Sequence, residues 1–332
     1  MEKLSKYILK ILVAGVAAFL CTSVFCYFYY NLPAHKPTTT GATDYAWTAA
    51  HISCRGTEGF AYTKTDERGY VNTFPYKKDT VDILLMGSSH TEAFNVNANQ
   101  NYAYLLNQKL HDSNYNMYAY NIGMSSHNLG RCLNNLGSAL TAYRPTKYVV
   151  IETHSAQISV PMMQQMIGDS YTPITTHNSG IAYQLQKSDF LRLTYAQISN
   201  IFSNNRANSS AAPTSFDQYE AYLDQTLQKA AGIAKANNCT LVIFYSPTLS
   251  VDYTGQLIPP VYSNELALLE STCQKYGIVF INAQSSYEKM YNETYCLPHG
   301  FTNTAVGKGH LNKYGHACIA DILFNLVTTE DH

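Results

Sequence analysis

The sequence predicts an α/β protein built on a doubly wound parallel sheet of about five strands, preceded by an apolar N-terminal helix. Five short runs carry the first half of that expectation: VDILLMG (81–87), YAYNIGM (118–124), YVVIETH (148–154), TLVIFYSP (240–247) and GIVFINA (277–283). Their near-continuous hydrophobicity is that of strands covered on both faces. The stretches between them supply the second half. YAYLLNQKL (102–110), NLGRCLNNLGSALTAY (128–143), FDQYEAYLDQTLQKAAGIAKAN (216–237) and NELALLESTCQKY (264–276) repeat apolar residues every three or four positions, as amphipathic helices do. Strand and helix in alternation call for parallel strands joined by crossover helices.

Taken in order, residues 1–10 (MEKLSKYILK) carry Lys3, Lys6 and Lys10 and read as a cytoplasmic tail. Residues 11–30 (ILVAGVAAFLCTSVFCYFYY) are long enough to span a bilayer, and Tyr27, Phe28, Tyr29 and Tyr30 close the span as an interfacial belt. A cleaved signal peptide is the competing reading. The run is long for a signal's apolar region, and no A-x-A site follows it. The expectation is a single-pass anchor with the rest of the chain outside the cytoplasmic membrane. Residues 31–50, with Pro33, Pro37 and a Thr run, read as a linker. Residues 59–73 read as a hairpin around Asp66-Glu67-Arg68-Gly69, and the main domain is expected over 51–330. Residues 156–214 do not fit the sheet pattern and are expected to form an insertion or lid that opens beside the site.

Composition narrows the function. With 46% hydrophobic residues and a formal net charge of -1, the chain buries a large core and has no charge bias toward nucleic acid. Only 14% of residues are charged while 28 are Tyr, a neutral hydrogen-bonding surface suited to wet, glycan-rich surroundings. Cys21 and Cys26 lie in the apolar span, and Cys54, Cys132, Cys239, Cys273, Cys296 and Cys318 follow it. They contain no C-x-x-C pair, and both disulfides and isolated thiols are compatible with the spacing. No phosphate-binding glycine loop or metal-ligand spacing is visible, so no cofactor and no metal are expected.

In a doubly wound sheet, ligands sit beyond the carboxyl ends of the strands. The first run delivers Ser88, Ser89 and His90 to that edge, the second Asn121, Gly123 and Ser125, and the third Glu152, His154 and Ser155. A glycine-flanked His310 precedes the last helix and can return to the same place. His316 is expected to pack or cap a helix, and Glu152 to be a satisfied structural carboxylate. His90 lines the pocket or supports Ser89, and His154 is either an oxyanion donor or a buried strand-end histidine.

These residues together resemble the SGNH/GDSL hydrolase superfamily. Gly87-Ser88-Ser89 resembles its first block, Gly123 in NIGMSS its second, and His310-Leu311-Asn312 with Gly315-His316 its last. The resemblance spans about Val81 to Val327 and implies a three-layer, flavodoxin-like fold with Ser89 as nucleophile and His310 as base. It implies an oxyanion hole of the Ser89 and Gly123 amides, with His154 a candidate third donor, and support from His90, Asn121 and Asn312. Two positions depart from the pattern. The third block's asparagine has no match in IETHSAQ, and the acid three residues before the histidine is Gly307. His154, Ser155 or Asn128 are candidates to replace the asparagine. For the acid, a Ser-His dyad oriented by a backbone carbonyl or by a distant carboxylate such as Glu152 remains open.

The expected chemistry is attack by a serine hydroxyl, activated by a neutral histidine, on an ester carbonyl. With an anchor facing the envelope, the expected activity is removal of O-acyl, foremost O-acetyl, groups from envelope or extracellular glycans. Two alternatives stand beside it: O-acetyl transfer to envelope polysaccharide by the same residues, and a catalytically impaired glycan-binding or assembly protein.

Overall fold

In a computed structural model of the chain, which describes residues 2–38, 40–172, 188–194, 215–259 and 262–329, all five expected strands are present. An N-terminal helix α1 (Glu2–Tyr29) leads into four short strands, β1 (Tyr30–Asn31), β2 (His35–Pro37), β3 (Tyr45–Trp47) and β4 (Ile52–Arg55). After β5 (Ala61–Lys64), the chain enters the sheet with β6 (Ile83–Met86), followed by α2 (Ser89–Glu92), α3 (Tyr102–Asp112), β7 (Ala119–Asn121), α4 (Leu129–Tyr143) and β8 (Tyr148–Thr153). Then come α5 (Val160–Ile167), α6 (Phe216–Ala236), β9 (Thr240–Tyr245), the small ribbon of β10 (Ser250–Val251) and β11 (Leu257–Ile258), α7 (Asn264–Lys275), β12 (Val279–Asn282), α8 (Gln284–Thr294) and α9 (Lys313–Thr329).

The central sheet has the order β12-β9-β8-β6-β7, and every pairing in it is parallel. In strand sequence that is 5-4-3-1-2, the flavodoxin-like order, whose switch point lies between β6 and β8. The alternation of side chains across each strand makes three layers. Leu84, Met86, Val149, Ile151, Leu241 and Ile243 face one core, with Leu133, Leu136, Leu223 and Leu269 from α4, α6 and α7. Ile83, Leu85, Val150, Val242 and Phe244 face the other, with Leu106, Leu110, Ile319 and Leu323 from α3 and α9.

Residues 31–50 are not a linker. β1 pairs with β4 and β2 with β3, and Ala42, Thr43, Asp44, Tyr45, Ala46 and Trp47 are all buried. The reason is polar as well as apolar. Asp44 is inside the protein, where Asn135 Nδ2 donates to its Oδ1 at 3.2 Å and Arg131 Nη1 stands 3.6 Å from its Oδ2. His127 Nε2 accepts the Asp44 N–H at 3.2 Å. A buried carboxylate needs such partners, and they fix the segment to α4. The helix α1 is also seated on the domain at its C-terminal end, where Gly56 N–H donates to Tyr29 O at 2.6 Å.

One further expectation changes, one open choice is decided, and one lies mostly outside the described residues. The turn at Asp66–Tyr70 forms, with Asp66 Oδ1 accepting the N–H groups of Arg68 and Tyr70, but β5 pairs with β4 rather than with the residues after the turn. All eight cysteines are free thiols. The insertion 156–214 lies largely outside the described residues. Its described beginning is packed: Met163 and Met166 of α5 are buried, and Tyr219 of α6 accepts the Ile158 N–H at 3.1 Å.

Candidate functional site

The site lies at the switch point, where β6 and β8 end side by side with Met86 in register with Ile151. The turn after β6 is tight. An added Cβ at Gly87 would stand 2.1 Å from Thr91 Oγ1 and 3.0 Å from Glu152 Oε2, so only glycine fits. Ser88 caps α2, its Oγ accepting the His90 N–H at 3.3 Å, and Ser89 becomes the helix's first residue. Ser89 is half-buried, and among the described residues neither its amide nor its hydroxyl has a protein partner. Ser89 is thus presented at the edge with both groups available.

Behind it, α2 is fixed from two sides. Asn121 Nδ2 donates to Thr91 O at 2.7 Å. Glu92, fully buried, accepts from Trp47 Nε1 at 2.6 Å and from the Ser125 amide at 3.0 Å, while the Ser125 hydroxyl donates to its other oxygen. Burial pushes the Glu92 carboxyl up, against those hydrogen bonds. The segment that composition marks as a linker thus buttresses the helix that carries Ser89. Gly123 is pressed against the same helix, since a Cβ there would lie 2.5 Å from the Glu92 amide nitrogen. Its own N–H donates to Asn121 Oδ1 at 2.7 Å, so it is already committed and is not the free donor expected.

His310 arrives from the loop before α9, and it has an acid. Glu58 Oε2 stands 2.6 Å from His310 Nδ1, and Glu58 Oε1 accepts the His310 N–H at 3.0 Å. Partial burial pushes the Glu58 carboxyl up, but the bonds from the His310 ring and amide outweigh it and hold it at about 2. The carboxylate that contacts His310 is therefore Glu58, while Glu152 contacts His90 instead. Gly309 makes the approach possible: it adopts a φ of +90°, and a Cβ on it would stand 2.5 Å from Glu58 Oε1. Asn312 braces the loop, donating to Leu297 O and Gly300 O at 2.8 and 3.0 Å and accepting from Tyr314 N–H at 2.9 Å. His316 has the structural place expected of it: its Nδ1 accepts the Tyr102 N–H at 3.2 Å, and burial pushes it down to about 3.

Around this pair the structure gathers histidines. The His90 ring lies 5.8 Å from that of His310, 5.2 Å from His154 and 5.3 Å from His299. Glu152 is buried beneath them, its Oε1 3.3 Å from His90 Nδ1 and its Oε2 accepting from Ser88 Oγ at 3.3 Å and Thr91 Oγ1 at 3.2 Å. Burial raises Glu152, but the His90 hydrogen bond and the neighbouring His90 and His154 charges hold it below its ordinary value. His154 is exposed at the end of β8, so it is not the buried alternative. His299 is fully buried, and among the described residues neither of its ring nitrogens has a partner.

The structure therefore brings Ser89, His90, Glu152, His154 and His310 to one edge and adds Glu58 and His299. Neither addition has a local signal. Glu58 lies 252 residues from His310, in a segment outside the strand-helix alternation, and the one hint is negative: Gly307 stands where the SGNH/GDSL resemblance implies an acid.

No family model matches the chain, and no curated protein matches it. Among solved structures, it is similar in fold to the psychrotrophic esterase EstA from Pseudoalteromonas sp., with 15% identity, coverage of 74% of this chain and 96% of that one, and a TM-score of 0.41. An acetyl xylan esterase is 13% identical over 74% of this chain and 98% of its own, with a TM-score of 0.41. A lipase/acylhydrolase from Enterococcus faecalis is 11% identical over 76% and 97%, also with a TM-score of 0.41. At these values the likeness assigns no residue a role.

Proposed function

We propose that the chain is a membrane-anchored serine esterase of the SGNH type that removes O-acyl, foremost O-acetyl, groups from glycans outside the cytoplasmic membrane. The observation that carries this reading is the Glu58–His310 pair at the sheet edge that presents Ser89. A histidine whose Nδ1–H is held by a carboxylate keeps Nε2 free to accept a proton, which is what a serine nucleophile requires.

In this reaction Ser89 Oγ attacks the ester carbon while His310 Nε2 takes the hydroxyl proton, and Glu58 stabilises the imidazolium. The negative charge passes to the carbonyl oxygen, facing the unengaged amide of Ser89. Collapse expels the sugar oxygen, which takes the proton from His310 and leaves an acyl group on Ser89. Water then attacks the acyl carbon with His310 as base, releasing the carboxylic acid and restoring the serine.

The glycan assignment is supported by a cavity of about 490 Å³ beside Gly59 and Gly300, next to the acid-histidine pair. Phe60, Phe301 and Tyr314 give it ring faces, and Asn97 and Gln100 give it amides. Rings for the faces of a sugar and amides for its hydroxyls are the chemistry a glycan needs. The anchor is supported by Lys3–Tyr29, a helix long and apolar enough to cross a membrane, whose end is hydrogen-bonded into the domain. The full chain is expected to stay in the membrane pellet after a high-salt wash, and a soluble chain refutes the anchor.

The test is a fluorophosphonate probe on the full chain in detergent, read as a mass gain. Labelling is expected in the wild type and lost in Ser89→Ala and His310→Ala, with thermal stability of Ser89→Ala unchanged. Undiminished labelling of Ser89→Ala refutes the proposal.

A further inference from the structure

We propose that His90, Glu152 and His154 form a binding site for one divalent ion of the zinc class, beside Ser89. Glu152 is the next-to-last residue of β8, His154 follows the strand's last residue, and His90 follows the adjacent strand β6. One ligand atom from each lies within 4.8 Å of the other two. Zinc bonds to nitrogen and oxygen of about 2.0–2.2 Å, in a tetrahedron, set neighbouring ligand atoms about 3.3–3.6 Å apart. His90 Nδ1 and Glu152 Oε1 already stand at 3.3 Å. That is long for a charge-assisted hydrogen bond, which falls at about 2.7–2.9 Å, but it fits two ligands of one ion. His154, exposed after the end of β8, supplies the third ligand atom of the group. Two histidines and a carboxylate leave the remaining coordination position for water or a substrate oxygen.

A second, independent feature points the same way. The three contacts of buried Glu152 are all 3.2–3.3 Å, so its charge is loosely met by neutral hydroxyls and one histidine. Among the described residues, His299, 0% exposed, has no partner for either ring nitrogen, and its ring lies 5.3 Å from that of His90. Buried polar groups are ordinarily hydrogen-bonded, and an unpartnered one beside this cluster of two histidines and a carboxylate is consistent with a site that takes up a further group. Resting on the serine-esterase reading, the ion would place positive charge at the end of β8, where the expected oxyanion-stabilising asparagine is missing, and 5.8 Å separates the His90 and His310 rings.

The full chain without a polyhistidine tag, in detergent and stripped by chelator, is titrated with Co²⁺ and then Zn²⁺. One equivalent of Co²⁺ is expected to give visible absorption bands of four- or five-coordinate cobalt, displaced by Zn²⁺. Outer-shell partners alone are worth about 10–100-fold in metal affinity, so His154→Ala is expected to weaken Zn²⁺ binding at least about 100-fold. Glu152→Gln is expected to do the same, and His111→Ala, on the far surface, to leave it unchanged. Absence of the bands, or His154→Ala binding Zn²⁺ as tightly as the wild type, overturns the site. Fluorophosphonate labelling of the wild-type sample separates the two readings: labelling without metal binding removes the ion site alone, and metal binding without labelling removes the esterase reading alone.

Discussion

Two carboxylate-histidine pairs stand a few ångströms apart at one sheet edge, and they are built in opposite ways. Glu58 meets His310 at 2.6 Å and also holds its backbone amide, in a half-open position and across 252 residues of chain. Glu152 meets His90 at 3.3 Å, is fully buried, and is shared with two hydroxyls across the ends of neighbouring strands. The first geometry orients one ring and leaves its far nitrogen to act. The second divides one charge among several weak donors. On the esterase reading, the short, two-point grip, rather than proximity to a histidine alone, is what marks the acid of a relay.

The largest effect expected from this contrast is that of Glu58→Gln. Gln keeps the size of the side chain but no longer stabilises the imidazolium, and in serine enzymes the equivalent loss costs about 10⁴ in kcat. A fall of about 10³-fold or more in acetyl-ester turnover, with KM changed little, is the expected result. A Glu58→Gln enzyme as active as the wild type would break the comparison, and inactivation by Glu152→Gln alone would reverse it.

Gly309→Ala sharpens the same point without touching either charge. The added methyl would stand 2.5 Å from Glu58 Oε1 and must push the carboxylate off the His310 amide. A misplaced orienting group commonly costs about 10²-fold, so a fall in kcat of that order is expected, with Glu58 and His310 both still present. Retained activity would mean that the two-point grip is not needed.

The unequal legibility of these parts has a physical origin. The five strands and Ser89 are written in local pattern: continuous apolar runs that end in residues able to cap a short helix. His310 is legible because its glycines and Asn312 form a local turn before a helix. Glu58 is set by tertiary packing alone. Gly59 N–H donates to Asn303 Oδ1, and Asn95 donates to Glu58 O, so the acid's position depends on two distant loops that no periodicity announces. The buried segment 31–50 fails the eye for a related reason. Its Pro and Thr residues look like a linker, while Asp44 and Trp47 take their partners from α4 and α2, far along the chain.

Glu152→Gln is expected to affect stability more than chemistry. In chelator-treated protein, turnover is expected to fall no more than about 10-fold, since the residue supports His90 rather than His310. The neutral amide cannot satisfy the same three donors, and its NH₂ group must find acceptors among them. Leaving buried groups unmatched costs about 1–3 kcal/mol, measurable as a lowered denaturation midpoint. An unchanged midpoint would mean that the buried charge is not integral to the fold.

The smallest effect is the dependence of the Glu58 contribution on pH. The Glu58 carboxyl is held at about 2, below its ordinary 4.5, so the folded state favours its charged form and gains stability from it. That gain is complete above pH 4.5 or so and is lost as pH falls through about 2, where the carboxyl protonates in folded and unfolded chains alike. Glu58→Gln carries no such charge at any pH. The difference in melting temperature between wild type and Glu58→Gln is therefore expected to be constant from pH 7 to about 5 and to shrink toward zero at pH 2–3. Because the pair is partly open to solvent, the difference is small and is reduced by salt. A gap that instead widens on acidification would mean that Glu58 is protonated in the folded protein and that its short contact with His310 is a neutral hydrogen bond.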